Sequence, residues 1–232
     1  MGRLVLWDID GTLIRGGGVG AEVINRAAEA VIGKPIVGES VMMHGKTDPE
    51  ILTELLVAAE VADEAISELL PAAIAEAERL VALAEAELRR RGEVIGGVVD
   101  VLARLRGLPG IRQSLVTGNL AANAAVKLAA FGLAGYFDVE VGAYGTDHAD
   151  RNELVPIALE RVERLRGERY LPSDVWVVGD TPGDFACARA AGVRCLLVAT
   201  GQIPIADLDA LDADEVLPDL TNTEEVVQLL TG

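Results

Sequence analysis

Short apolar and β-branched segments recur along this chain at LVLW (4–7), IRQSLV (111–116), DVEVG (138–142), VWVV (175–178), RCLLV (194–198) and EVL (215–217). Each predicts a strand. Between them, apolar positions three and four apart predict helices near 97–106, 119–131, 152–166, 182–191 and 222–230. Apolar strands alternating with amphipathic helices suit a parallel sheet covered on both faces, because its strands keep no solvent side. The expected fold is α/β, with a Rossmann-like parallel sheet at its core.

One interval interrupts that rhythm. From about Gly16 to Gly92 no strand is predicted, only helices rich in Ala, Glu and Leu. Thr47-Asp-Pro-Glu50 has the spacing of a capping box, with Pro49 in the first turn. Asp63 starts another helix, and Pro71 marks a break or a fresh start within it. GGG (16–18) and RRRGEVIGG (89–97) bound the interval as candidate hinges. The expected organisation is an α/β core of residues 1–15 and 93–232, discontinuous in sequence, with an all-helical domain of 16–92 inserted after the first strand.

Composition narrows the setting. A chain of 232 residues, 50% hydrophobic and 25% charged, is globular and long enough for one large domain or two modest ones. The longest membrane-helix candidate, PAAIAEAERLVALAEAEL (71–88), carries a charge every few positions and reads as an amphipathic helix. With a candidate site opening at residue 8, no secretory leader is expected. The two cysteines, Cys187 and Cys195, suggest no disulfide framework. A cytoplasmic setting is the expectation. A formal charge of −17 argues against nucleic acid or an anionic membrane as partner. A phosphate site in such a chain needs a cation and a few placed basic groups.

That requirement gives meaning to the polar clusters at the predicted strand ends, where open α/β sheets form their sites. The first is Asp8-Ile9-Asp10-Gly11-Thr12, in which alternation along an extended chain turns both acids the same way. Like charges so placed repel, so they imply a positive partner. The second is Thr117-Gly118-Asn119, whose plainer reading is a turn that starts a helix. The third, GAYGTDHADRNELVP (142–156), offers Arg151 just before a helix, where it could equally be an exposed helix-start residue. The fourth is Gly179-Asp180-Thr181-Pro182-Gly183-Asp184, which could also be an N-cap and an acidic first turn.

Converging carboxylates make an all-oxygen site suited to Mg²⁺, which would neutralise a phosphoryl group entering an acidic protein. Asp8 could then attack phosphorus, while Asp10 protonates the leaving oxygen and later deprotonates water. Thr117 and the backbone N–H groups beside Gly118 and Asn119 would hold phosphoryl oxygens.

DIDGT, TGN, a basic residue before a helix and GDTPGD, in that order, resemble the motifs of the haloacid dehalogenase superfamily of phosphohydrolases. The helical interval is similar to that superfamily's cap domain. The resemblance implies Asp8 as nucleophile, Asp10 as acid/base, Thr117 as phosphate-binding, and a metal held by Asp8, Asp180 and the Asp10 backbone carbonyl. Asp184 would ligate the metal or orient one of its waters. The family commonly uses Lys in the third motif. Here Lys34 and Lys46 lie in the helical interval and Lys127 well inside a helix, where a solvated or snorkelling role is expected. The basic role therefore falls to Arg151, which can grip phosphate with two N–H groups.

HGKTDPEIL (44–52) resembles a Gly-x-Thr-Asp stretch in the caps of phosphoglycolate-phosphatase-like members. Lys46 or His44 would meet the non-phosphate part of a substrate, or else simply face solvent. The expected activity is Mg²⁺-dependent hydrolysis of a small phosphorylated metabolite, which an inserted cap suits better than a phosphoprotein. The alternatives are a sugar phosphomutase on the same core and, in another class, a phosphoacceptor signalling domain. A 2-haloacid dehalogenase would have no use for Asp10, Asp180 and Asp184. The sequence carries no sign of oligomeric state.

Overall fold

The computed structural model describes residues 2–37 and 41–232. In chain order the elements are β1 (Arg3–Trp7), β2 (Ile14–Arg15), α1 (Val19–Ile32), α2 (Asp48–Ala58), α3 (Asp63–Leu83), α4 (Glu85–Arg91) and β3 (Glu93–Val94). There follow α5 (Val98–Arg106), β4 (Ile111–Thr117), α6 (Ala121–Ala130), β5 (Ala143–Tyr144), α7 (Leu154–Arg166), β6 (Val175–Gly179) and α8 (Pro182–Ala191). The chain finishes with β7 (Arg194–Val198), α9 (Ile205–Asp209), β8 (Glu215–Leu217) and α10 (Thr223–Thr231).

Six strands form one parallel sheet in the order β5-β4-β1-β6-β7-β8. β1 lies between β4 and β6, and its alternate side chains divide between two cores. Val5 and Trp7 join Leu115, Trp176 and Val178 on one face, while Leu4 and Leu6 join Val116, Val175 and Val177 on the other. Each fully buried side chain of this kind stabilises the fold by roughly 1.5–3 kcal/mol. A strand that buries four in succession is fixed firmly enough to hold acidic residues just beyond its end.

Two sequence expectations need correction. The segment 138–142 is not a strand: Val139–Val141 forms a 3₁₀ turn, and only Ala143 and Tyr144 pair with β4. The alternation misled because Val139 faces outward while the Asp138 carbonyl is taken by the Ser114 hydroxyl, at 2.7 Å. Pro71 neither breaks nor restarts its helix, since α3 runs through it to Leu83. The interruption falls at Ala84 instead, which splits the predicted amphipathic run 71–88.

Between β2 and β3 the described residues hold α1 to α4 and no strand. β2 and β3 pair antiparallel with each other, so the chain leaves and returns through a two-stranded ribbon. Val23, Ile24 and Ala27 of α1, Leu52 and Leu55 of α2 and Ala77 and Leu80 of α3 form a third core. Leu120 and Ala130, at the two ends of α6, belong to that same core. The helical segment is thereby seated over the carboxyl end of β4.

Candidate active site

The site is built where β1, β4 and β6 end. Asp8 continues β1 by one residue, and its N–H donates to the Val178 carbonyl at 2.9 Å. Ile9 turns into the core, which leaves Asp8 and Asp10 on the opposite side. The chain then reverses at Gly11, where φ is +85°. A side chain there would be strained, and its Cβ would stand 2.2 Å from an Asp180 carboxylate oxygen. Glycine thus lets the first and fourth polar clusters touch. Thr12 completes the join, its hydroxyl donating to Asp180 Oδ1 at 2.9 Å.

The fourth cluster begins α8. The Thr181 hydroxyl accepts from the Asp184 N–H, and Asp184 Oδ2 accepts from the Thr181 N–H and hydroxyl, at 3.0 and 2.6 Å. This reciprocal capping box locks Asp184, which is fully buried. The helix-start reading of this motif therefore holds in its geometry. Asp8, Asp180 and Asp184 each offer a carboxylate oxygen, and these oxygens lie within 4.8 Å of one another.

Arg151 stands in a 3₁₀ turn ahead of α7 and is buried. Its Nη2 lies 3.2 Å from Asp8 Oδ1 and also pairs with Asp184 Oδ1. Its Nε finds no partner among the described residues, so a buried donor remains beside the acids. One guanidinium does not balance three carboxylates. Burial foremost, with Asp184 and Asp10 adding to it, outweighs Arg151 and pushes Asp8 up to about 7. Burial, then Asp184 and Asp8, push Asp180 up to about 8. A cluster of hard oxygen donors that is short of positive charge suits a hard divalent cation such as Mg²⁺.

Thr117 is buried at the end of β4, close enough to Asp8 to favour its charged form. Its hydroxyl oxygen accepts from Asn119 Nδ2 at 2.8 Å, and the same Nδ2 reaches Asp10 Oδ2 at 2.8 Å. Gly118 carries no side chain because there is no room for one: a Cβ would stand 2.1 Å from the Lys46 carbonyl oxygen. The Gly118 carbonyl accepts from the Asp48 N–H at 2.7 Å. Asp48 Oδ2 in turn accepts from the Leu120 N–H at 2.8 Å and from Asn123 Nδ2 at 2.9 Å. Burial raises the Asp48 pKa against the opposing pull of Lys127 and these two donors.

Asp8, Asp10, Thr117, Gly118, Asn119, Arg151, Asp180 and Asp184 thus gather at one end of the sheet. The Asp10 carboxylate lies outside the three-acid cluster and turns towards Asn119. The Lys46 side chain is the exception. Its ammonium is held by both Glu54 oxygens (2.5 and 2.6 Å), and only its backbone reaches the site. His44 is exposed.

The solvated role expected for Lys127 is wrong. Lys127 is only 5% exposed, and its Nζ contacts Asp10 Oδ2 and, at 2.6 Å, Asn119 Oδ1. Burial works against its charge, but Asp10 and Asp48 outweigh burial and lift its pKa. The missed signal was positional. Lys127 falls three residues after Ala124 and one before Leu128, on the buried face of α6, and a lysine on an apolar stripe needs a carboxylate nearby.

The haloacid dehalogenase-like hydrolase family matches this chain over residues 3–192. The chain belongs to that family. Among curated proteins it is 30% identical over 206 residues to phosphoglycolate phosphatase 1 of Pseudomonas aeruginosa, covering 86% of this chain and 70% of that protein. It is 28% identical over 222 residues to a phosphoglycolate phosphatase of Pseudomonas putida, covering 94% of this chain and 77% of that one. Among solved structures it resembles one described as a predicted phosphatase from Clostridium acetobutylicum, with a TM-score of 0.71 at 18% identity, covering 98% and 99% of the two chains. At that identity the structural likeness speaks for the haloacid dehalogenase-like fold alone. Among the described residues of this family member, no helix is long and apolar enough to cross a membrane. Cys187 and Cys195 are buried and unbridged.

Proposed function

We propose that the chain hydrolyses a small phosphomonoester with Mg²⁺ as cofactor, through a phosphorylated Asp8. Its class, a phosphatase, follows from the family and the named relatives. The observation that carries the finer reading is the meeting of Asp8, Asp180 and Asp184 within 4.8 Å, with the Arg151 guanidinium on Asp8.

Asp8, Asp180 and Asp184 would hold the Mg²⁺, together with the Asp10 backbone carbonyl. When bound, the ion supplies positive charge that offsets the acids and the phosphoryl group. Arg151, with its free Nε–H, and the Thr117 hydroxyl orient the phosphoryl oxygens. Backbone N–H groups at Gly118 and Asn119 belong to the same cradle. An Asp8 carboxylate oxygen bonds to phosphorus as the P–O bond to the leaving group breaks, and Asp10 gives its proton to the leaving-group oxygen. Water then attacks the phosphorus of the aspartyl-phosphate. Asp10 takes the proton, and inorganic phosphate leaves with the Asp8 carboxylate restored.

The helical segment, read as a cap domain of residues 16–92, closes over this site through Lys46, Thr47 and Asp48. Such a cover suits a small metabolite better than a phosphoprotein, and its closure would exclude bulk water. Lys46, on this segment, would leave Glu54 to meet a carboxylate of the substrate. The names of the relatives make 2-phosphoglycolate the first substrate to try.

The test is phosphate release across small phosphorylated metabolites with Mg²⁺, run beside Asp8→Asn. Wild type should turn over at least one of them, and the variant should lose activity by about 10³-fold or more. Undiminished turnover by Asp8→Asn would refute the reading. So would strong turnover of a phosphoprotein with none of any small metabolite.

A further inference from the structure

We propose that Lys127 is a positioning residue: its ammonium group aims the Asp10 carboxylate at the reacting oxygen, within a seat that the docked helical segment completes. The inference rests on the proposed function, in that it takes Asp10 as the group that moves the proton.

The geometry is specific. Asp10 side-chain atoms are 43% exposed, so an unheld carboxylate at this turn would sample several rotamers. Instead two donors from one helix region converge on Oδ2: Asn119 Nδ2 at 2.8 Å and Lys127 Nζ. Oδ1 receives neither, which leaves it as the oxygen presented to the reaction. Lys127 also steadies the second donor, because its Nζ donates to Asn119 Oδ1 at 2.6 Å and so fixes which way the Asn119 amide faces. Removing the ammonium would therefore loosen both holds on Asp10 together.

The seat of Lys127 joins two parts of the molecule. The lysine extends from the second turn of α6, in the α/β part. Asp48, at the start of α2, faces it as a second negative charge, while holding the Leu120 N–H and Asn123 at the front of the same helix. Gly20 of α1 packs on the ammonium from the other side, where a Cβ would stand 3.2 Å from Nζ. Two of the three N–H directions of Lys127 are filled by the α/β part, and the helical segment supplies the nearby charge and the wall. Docking of that segment thus encloses the lysine and, through it, sets the orientation of Asp10.

A residue that only stabilises the fold would slow every substrate alike, whereas one that positions the proton donor should matter most where the leaving oxygen needs a proton. The comparison uses Lys127→Met with 2-phosphoglycolate, or the alkyl phosphate turned over fastest, and with p-nitrophenyl phosphate. For the alkyl ester kcat should fall about 10- to 100-fold, with KM within about threefold of wild type. Single-turnover release of p-nitrophenol, a leaving group that departs without a proton, should stay within about threefold of wild type. Lys127→Arg, which keeps the charge, should recover part of the alkyl activity. Equal losses on both esters, or unchanged alkyl turnover, would overturn the proposal. Should Lys127→Met fail to fold, Lys127→Gln retains a donor without the charge and carries the same comparison. If wild type forms no phosphorylated Asp8, the proposed function fails, and that result is distinct from any result with Lys127.

Discussion

At the residue scale, the acids at the end of β1 exist in a balance that protons and a cation both enter. Asp8 and Asp180 are pushed up to about 7 and about 8, in each case by burial first and by neighbouring carboxylates after it. Both shifts are upward from an ordinary 3.8, so in the metal-free fold these groups bind protons that the unfolded chain has already released. The sign follows: metal-free stability falls as pH rises from about 4 to 8, because the native state binds more protons than the unfolded state over that window. A divalent cation displaces those protons, so its affinity should move the other way. We expect Mg²⁺ binding, followed by calorimetry or by the rise in Tm, to tighten from pH 6 to pH 8 by up to about tenfold per pH unit for each proton displaced. An affinity independent of pH would show that these carboxylates are not its ligands. The pairing of Asp8 with Asp10 was legible in the sequence because alternation along a strand is a backbone property. Lys127 was not, since burial of a single lysine depends on what packs over its helix.

At the element scale, the start of α8 does two jobs with one side chain. Asp184 closes the capping box with Thr181 and pairs with Arg151. Breaking a buried ion pair costs about 3–5 kcal/mol when it strands a charge. Arg151 is not stranded here, because Asp8 remains 3.2 Å away, and removing Asp184 also relieves repulsion on Asp8 and Asp180. The lost half of the capping box, the Asp184 carboxylate on the Thr181 N–H and hydroxyl, then decides the outcome. Asp184→Ala should destabilise the metal-free protein by about 1–2 kcal/mol in urea unfolding. A cost above about 3 kcal/mol would mean that Arg151 depends on Asp184 alone.

The strands β1, β6 and β7 were readable because parallel-sheet cores require unbroken apolar runs. Segment 138–142 also carries valines, but its place beside β4 is set by tertiary hydrogen bonds to Gln113 and Ser114. Pro71 shows the same limit. Propensity argues for a break, yet packing of Ala73, Ala77 and Leu80 into the third core carries α3 straight through.

At the scale of the whole molecule, the formal charge of −17 acts against a phosphorylated substrate before any contact forms. Long-range repulsion slows encounter and is screened over about 10 Å at 0.1 M salt, whereas Arg151, buried among the acids, is screened far less. Raising ionic strength from about 0.01 to 0.1 M should therefore increase kcat/KM for a dianionic ester at fixed free Mg²⁺. A fall instead would mean that exposed basic groups steer the substrate. The helical segment is the other whole-molecule feature. Its place in the chain could be read from the missing strands. Its seating on Gly118 could not, because nothing local in GKTDPE states which loop it will meet.

The most direct test of the account is whether phosphorus becomes bonded to Asp8. Wild-type protein, mixed with Mg²⁺ and its best phosphomonoester and quenched in acid within one turnover, should yield a phosphoryl group on the peptide that carries Asp8. The label should be absent without Mg²⁺ and absent from Asp8→Asn. A fully active enzyme that never carries phosphate on that residue would contradict the account.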